Sequence, residues 1–263
     1  MVATLPTLEF GRKLQPAEAK ACVDAVYEKM LERADRKVTN GKYMRELGKG
    51  SLPLEGIRVF WQNWYGFVAE INNLLGCAYQ FHLPFFKRHW DLLAPLSDKV
   101  ADEITNPKPP GHIEIVVEQG EIFGLTKEEM VYYPMFPECR ALLEWHRGLL
   151  HEGTMIEYWA SAAWEEYVGY WARQFREALL DKYGFNADQV LYFRTHEEAD
   201  LEVHEGGIMA HGQFNRTVLQ RLLEDGRADF RPGFSLEYSA LSSIDLFALF
   251  LDRIYQHVTQ QAS

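Results

Sequence analysis

Side chains able to hold a metal cluster late in the chain. Between Tyr192 and His204, three of them, His196, Asp200 and His204, recur at intervals of four. On an α-helix each four-residue step rotates about 40°, so the three form one stripe about 80° wide. Glu198, Glu202 and Glu205 fall roughly on the opposite side, the natural place for solvated charge. Two imidazoles and a carboxylate aimed together into a helical core are ligands for a borderline or hard transition metal. Little else in the chain reads as a catalytic motif.

A metal site in a helical bundle draws ligands from several facing helices, so the stripe predicts carboxylates elsewhere. Glu70 shares a helical sector with Asn63, Phe67, Leu74 and Cys77, a mostly apolar face where a carboxylate is costly unless metal-bound or paired with an arginine. Glu165 and Glu166 lie among aromatic and small residues; one is expected to point inward and the other outward, and periodicity does not decide which. Asp102 and Glu103 end a helix, where a nearby cation would offset the unfavourable helix dipole; a solvated helix end is the expectation for Asp102. His112 opens the next helix, as a ligand or as an N-terminal cap. His211 follows His204 by seven residues, but Gly206 and Gly207 leave its helical phase undefined.

The elements that must position these residues read as helix after helix. Pro16 opens the first. Gly48 to Pro53 breaks the chain before a long amphipathic helix that is expected to end at His82-Leu83-Pro84. A proline-rich turn, Asn106 to Gly111, separates Glu103 from His112. The helix from His112 is expected to end at Gly124, with a Thr126/Glu129 capping box opening the next. Cys139 to Lys182 reads as one long helical stretch, interrupted near Gly153. Alternating strand patterns are absent. The predicted fold is an all-α bundle of seven or more helices, one domain over residues 1–263.

Composition narrows the function. The 263 residues are 47% hydrophobic and 14% aromatic, a globular composition. A net charge of −11 without a basic cluster argues against nucleic acid. No stretch approaches the roughly 18 apolar residues of a membrane span, and the N-terminal order is not that of a signal peptide. Cys22, Cys77 and Cys139 are far apart and in no metal-spaced pair. A soluble, cytoplasmic protein acting on a small molecule is expected; the aromatic surplus would suit a homodimer.

The Gly48–Pro53 turn before an aromatic helix, the Glu-bearing helices, Tyr183-Gly184, Tyr192-Phe193 and His-x3-Asp together resemble the TenA and PqqC group, which shares the haem-oxygenase-like fold. The resemblance spans roughly residues 40 to 215. The metal-type residues are similar to those of the haem-oxygenase-like diiron oxidases and oxygenases. Glu70, Glu103, His112, Glu165 or Glu166, His196, Asp200 and His204 follow that order. The resemblance implies two Fe2+ per chain, the second weakly held, and O2 as co-substrate. Glu103, His112 and His204, or a mixture of these with His196, would hold one iron; Glu70, Glu165 and Asp200 would hold or bridge the other. Ordinary core packing is the expectation for Trp64, Trp159 and Tyr170, and walling the pocket the alternative. The substrate would be an amino acid, a small carboxylate or a fatty acid, undergoing desaturation, oxidative decarboxylation or N-oxygenation.

Two departures stand out. The spacing from Glu103 to His112 runs through three prolines, so both need not point at one metal. Members of the p-aminobenzoate-forming type carry a histidine two turns after the first glutamate, where this chain has Cys77. The cysteine motif of the thiaminase branch is absent around Cys139. The alternatives are a metal-free PqqC-like oxidase using His196, His204 and Tyr192 as acid–base groups, and a non-catalytic helical binding protein.

Overall fold

The structure is a computed structural model that describes residues 6–106, 108–202 and 209–261. Every regular element among them is helical. The chain forms α1 (Pro16–Ala34), α2 (Lys42–Lys49), α3 (Leu54–Phe86), α4 (Leu93–Ile104), α5 (His112–Ile122), α6 (Lys127–Val131), α7 (Pro137–Glu152), α8 (Met155–Ser161), α9 (Glu165–Lys182), α10 (Leu191–Leu201), α11 (His211–Glu224) and α12 (Leu236–Gln261). No helix among the described residues is long and apolar enough to cross a membrane.

Local signals account for many of the boundaries. Pro16 stands at the first turn of α1, and Glu18 accepts from the Gln15 backbone N–H at 3.0 Å. Thr126 and Thr154 each cap a helix reciprocally with the glutamate three residues on, Glu129 and Glu157. The α7–α8 break at Gly153 answers the expected interruption, and a 3-10 turn over Ala162–Trp164 separates α8 from α9. One boundary differs: α3 continues through Pro84 to Phe86. Pro84 lies in the last turn, where it removes a single backbone bond, and the burial of Phe85 and Phe86 continues the helix.

The core is built on α3. Its apolar residues Ile57, Phe60, Trp61, Trp64, Phe67 and Val68 recur at three- and four-residue steps and are all buried. They pack against Trp171 and Phe175 of α9, Tyr192 and Phe193 of α10, and Phe247 and Phe250 of α12. Burying each such aromatic contributes on the order of 2 kcal/mol or more. This dense layer closes one side of the space toward which α4, α5, α9, α10 and α11 direct their polar groups.

Candidate metal centre

Three residues from three helices converge. Glu103 is near the end of α4, His112 at the start of α5 and His196 inside α10, and one ligand atom of each lies within 4.8 Å of the other two. Both histidines are buried. The proline-rich turn between Glu103 and His112, which separates them in sequence, is what folds them together. Gly111, at φ 72°, lies against the last residues of α4, and a Cβ there would stand 2.3 Å from the Glu103 carbonyl oxygen. Only glycine fits this backbone conformation and this approach. The same carbonyl accepts from Asn72 Nδ2 of α3 at 2.8 Å.

The protonation pattern suits metal binding at His196; at His112 burial opposes the charge but Glu103 prevails and raises the pKa, so a metal there would displace a proton. His196 Nδ1 lies 3.1 Å from the Tyr192 carbonyl oxygen, which can only accept, so Nδ1 carries the proton and Nε2 keeps its lone pair. Burial, reinforced by His112, lowers the His196 pKa to about 3, so the ring is neutral near pH 7. The Tyr192 ring stacks on it at 4.1 Å between centroids and fixes its plane. His112 Nδ1 approaches Glu103 Oε2 at 2.9 Å but outside hydrogen-bond geometry, leaving a buried nitrogen with no hydrogen-bond partner among the described residues. Burial opposes the charge on Glu103, yet the His112 imidazole outweighs it and holds the carboxyl far below its usual range. Two imidazoles and a carboxylate converging on one point, with the backbone orienting one ring, form a donor set that fits a divalent transition metal.

A second polar group adjoins the first. Glu165 Oε2 accepts from the Lys99 ammonium and, at 2.8 Å, from Asn215 Nδ2. Asp200 Oδ1 lies 3.3 Å from His211 Nδ1, while His211 Nε2 is 3.4 Å from Asp102 Oδ2. Burial and Lys99 oppose charge on His211, but the flanking carboxylates prevail and raise its pKa to about 9. Glu103, Glu165, His196 and Asp200 border one cavity of about 60 Å³, completed by Trp64, Phe67, Val68, Ile71, Leu75, Trp164 and Tyr192. Such a volume admits a few water-sized groups. Its apolar side comes from α3, its polar side from α4, α9 and α10.

The structure sorts the residues singled out by sequence. Glu103, His112, His196, Asp200 and Glu165 are brought to this region. Glu70 is not: its carboxylate forms a fork with Arg140 at 3.0 and 3.1 Å and also meets Arg147, at a half-exposed position on the outer side of α3. Glu166 is likewise engaged elsewhere, by Arg216 at 2.5 and 2.7 Å, beside a separate open cleft. So Glu165 faces the cavity and Glu166 faces away. His204 lies outside the described residues; α10 itself ends at Leu201, with Glu202 extended. Trp64 borders the cavity and donates to the Tyr192 hydroxyl at 2.5 Å, whereas Trp159 packs on His82 and Tyr170 is partly exposed. Cys139 is buried with its thiol pKa pushed up by desolvation, as an inert core residue.

Two residues here were not identified as ligating or charge-balancing groups from sequence, Lys99 and His211. Lys99 did carry a signal: Leu92, Leu96, Lys99 and Glu103 follow one another at helical steps, and the first three are buried. Asp102 is a partner of His211 rather than a solvated helix end.

No family model matches the chain, and no curated protein matches it by sequence. Among solved structures, a TenA homologue from Pseudomonas syringae pv. tomato superposes with a TM-score of 0.68 at 14% identity, covering 94% of this chain and 98% of its own. A domain of unknown function with a heme oxygenase-like fold from Shewanella denitrificans gives 0.66 at 13% identity, over 95% and 96%. A CADD-like protein of unknown function from Nostoc punctiforme gives 0.63 at 14% identity, over 92% and 98%. The chain has the haem-oxygenase-like, TenA-like helical fold, as the sequence resemblance implied.

Proposed function

We propose that this protein is an O2-dependent non-haem iron oxidase or oxygenase whose metal is held by Glu103, His112 and His196. The observation that carries the reading is the convergence of these three ligands, both histidines buried, with His196 oriented through its Nδ1 proton so that Nε2 is available. Two histidines and one carboxylate that leave positions open are the donor set of non-haem Fe(II) oxygenases. Bound there, iron would supply O2 activation.

The chain's own residues do the rest. Trp64, Phe67, Val68, Ile71 and Leu75 give the cavity its apolar wall. Tyr192 holds the His196 ring, and its hydroxyl, fixed by Trp64, stays protonated because burial raises its pKa well above the usual value. The apolar wall from α3 and the polar groups opposite it suit an amino acid, a small carboxylate or the end of a fatty acid. Desaturation, oxidative decarboxylation and N-oxygenation are the reaction types proposed.

The test is anaerobic Fe(II) titration of the protein and of His196→Ala, followed by O2 uptake with a panel of small amino acids and carboxylates. Tight iron binding that falls at least tenfold in the variant, with loss of O2 uptake, is the expected result. Iron binding unaffected by His196→Ala would refute the assignment. A metal-free oxidase of PqqC type draws support from one observation, the charge-compensated contact of Glu103 with His112, which needs no ion. Under that reading O2 uptake survives chelation.

A further inference from the structure

We propose that the Lys99 ammonium takes the place of a second metal ion, so that the centre holds a single metal beside a built-in cation. The inference rests on the metal reading above and concerns the number of ions. A diiron site would need Glu165 and Asp200 as ligands of the second iron. Both are already engaged by positive or proton-donating groups of the chain. Lys99, 2% exposed, is ion-paired to Glu165, whose same oxygen also accepts from Asn215. Asp200 faces His211, which stands between two carboxylates. His211 Nδ1 and Nε2 lie at ion-pair distance from carboxylate oxygens that can only accept, 3.3 Å from Asp200 and 3.4 Å from Asp102, a placement that favours the imidazolium.

A lysine is almost never fully buried without a compensating role. Here its placement follows from α4 itself. Lys99 precedes Glu103 by four residues, so the helix that supplies a carboxylate to the first metal supplies a cation one turn away, on the same face. Charge balance among the described residues agrees. Glu103, Glu165, Asp200 and Asp102 carry four negative charges; Lys99 and His211 carry two positive ones. One divalent ion at Glu103, His112 and His196 brings the group to neutrality. A second would leave two uncompensated positive charges in a buried site, which is strongly unfavourable. A methylene-tethered ammonium also cannot dissociate, so the position stays filled at any metal concentration.

The experiment counts bound metal in the full chain, by anaerobic titration with Mn(II) or Fe(II) and by Mn(II) electron paramagnetic resonance. The native protein is expected to bind about one equivalent and to show the spectrum of isolated Mn(II). Lys99→Met removes the charge at nearly constant length, and is expected to bind about two equivalents with spin coupling between them. Lys99→Arg keeps the charge and stays near one. Glu165→Gln combined with Lys99→Met returns the count to about one. Circular dichroism melts establish that each variant folds, and should Lys99→Met not fold, the native count alone decides. Two equivalents in the native protein overturn the inference, as does a single equivalent in folded Lys99→Met. No metal in the native protein overturns the functional reading itself, which is a distinct outcome from binding the wrong number.

Discussion

Glu70 and Glu103 show how little a side chain's identity says about its role. Both sit on long helices among apolar neighbours, and both are expected ligands. Glu103 meets two imidazoles inside the protein, while Glu70 meets two guanidinium groups near its surface. The difference makes a prediction. Glu70→Gln leaves metal stoichiometry unchanged and lowers stability by less than about 1 kcal/mol, because half-exposed ion pairs are screened by solvent. Denaturant melts and the metal titration check it together. Loss of bound metal in Glu70→Gln would mean that the glutamate acts at the centre after all. His196→Ala, in contrast, removes a ligand whose orientation is set by its own helix, and its effect falls on metal affinity.

At the level of elements, the site depends on how the end of α4 meets the start of α5. The two ligands contributed by these helices are separated by a turn whose last residue, Gly111, packs directly on the Glu103 backbone. Gly111→Ala would force a Cβ into that contact and impose a positive φ on an ordinary residue. The expected cost is roughly 1–3 kcal/mol, together with a drop in metal affinity of about tenfold or more as Glu103 and His112 separate. Thermal melting and metal titration of the variant measure the two effects. Full metal affinity in a destabilised Gly111→Ala protein would show that the α4–α5 turn does not set the ligand geometry. The α9–α10 pair acts similarly: Gly169 leaves room for the Asp200 Cβ, which a methyl group at Gly169 would approach to 3.0 Å.

For the molecule as a whole, burial of neutral histidines sets how stability responds to acid. His146, in α7, is buried away from the metal site; Nδ1 donates to the Ser161 hydroxyl, whose own proton goes to the Tyr158 carbonyl, and Nε2 has no hydrogen-bond partner among the described residues. Desolvation lowers its pKa from 6.5 to about 3. Between those values the unfolded chain binds a proton that the folded chain refuses, so stability rises with pH through this window and is constant above it. As pH falls below 6.5, this one group is expected to remove stability with a limiting slope of about 1.4 kcal/mol per pH unit. Urea melts at pH 7, 6 and 5 measure the trend, and His146→Gln should flatten it. An unchanged slope in that variant would assign the acid sensitivity to other groups.

The sequence by itself determined the helical class, most helix limits, and the pairing of His196 with Asp200 on one face of α10. These follow from periodicity and capping, which act within one segment and need no knowledge of the rest. Tertiary structure decided which of Glu165 and Glu166 faces the cavity, because adjacent residues on a helix differ by about 100° and only the neighbours can choose between them. Lys99 and Asn215 claim Glu165; Arg216 claims Glu166. It also joined Glu103 to His112 across a proline turn, and turned a lysine inward against its usual preference. Each of those outcomes depends on the relative phase of separate helices, a property that no single helix encodes.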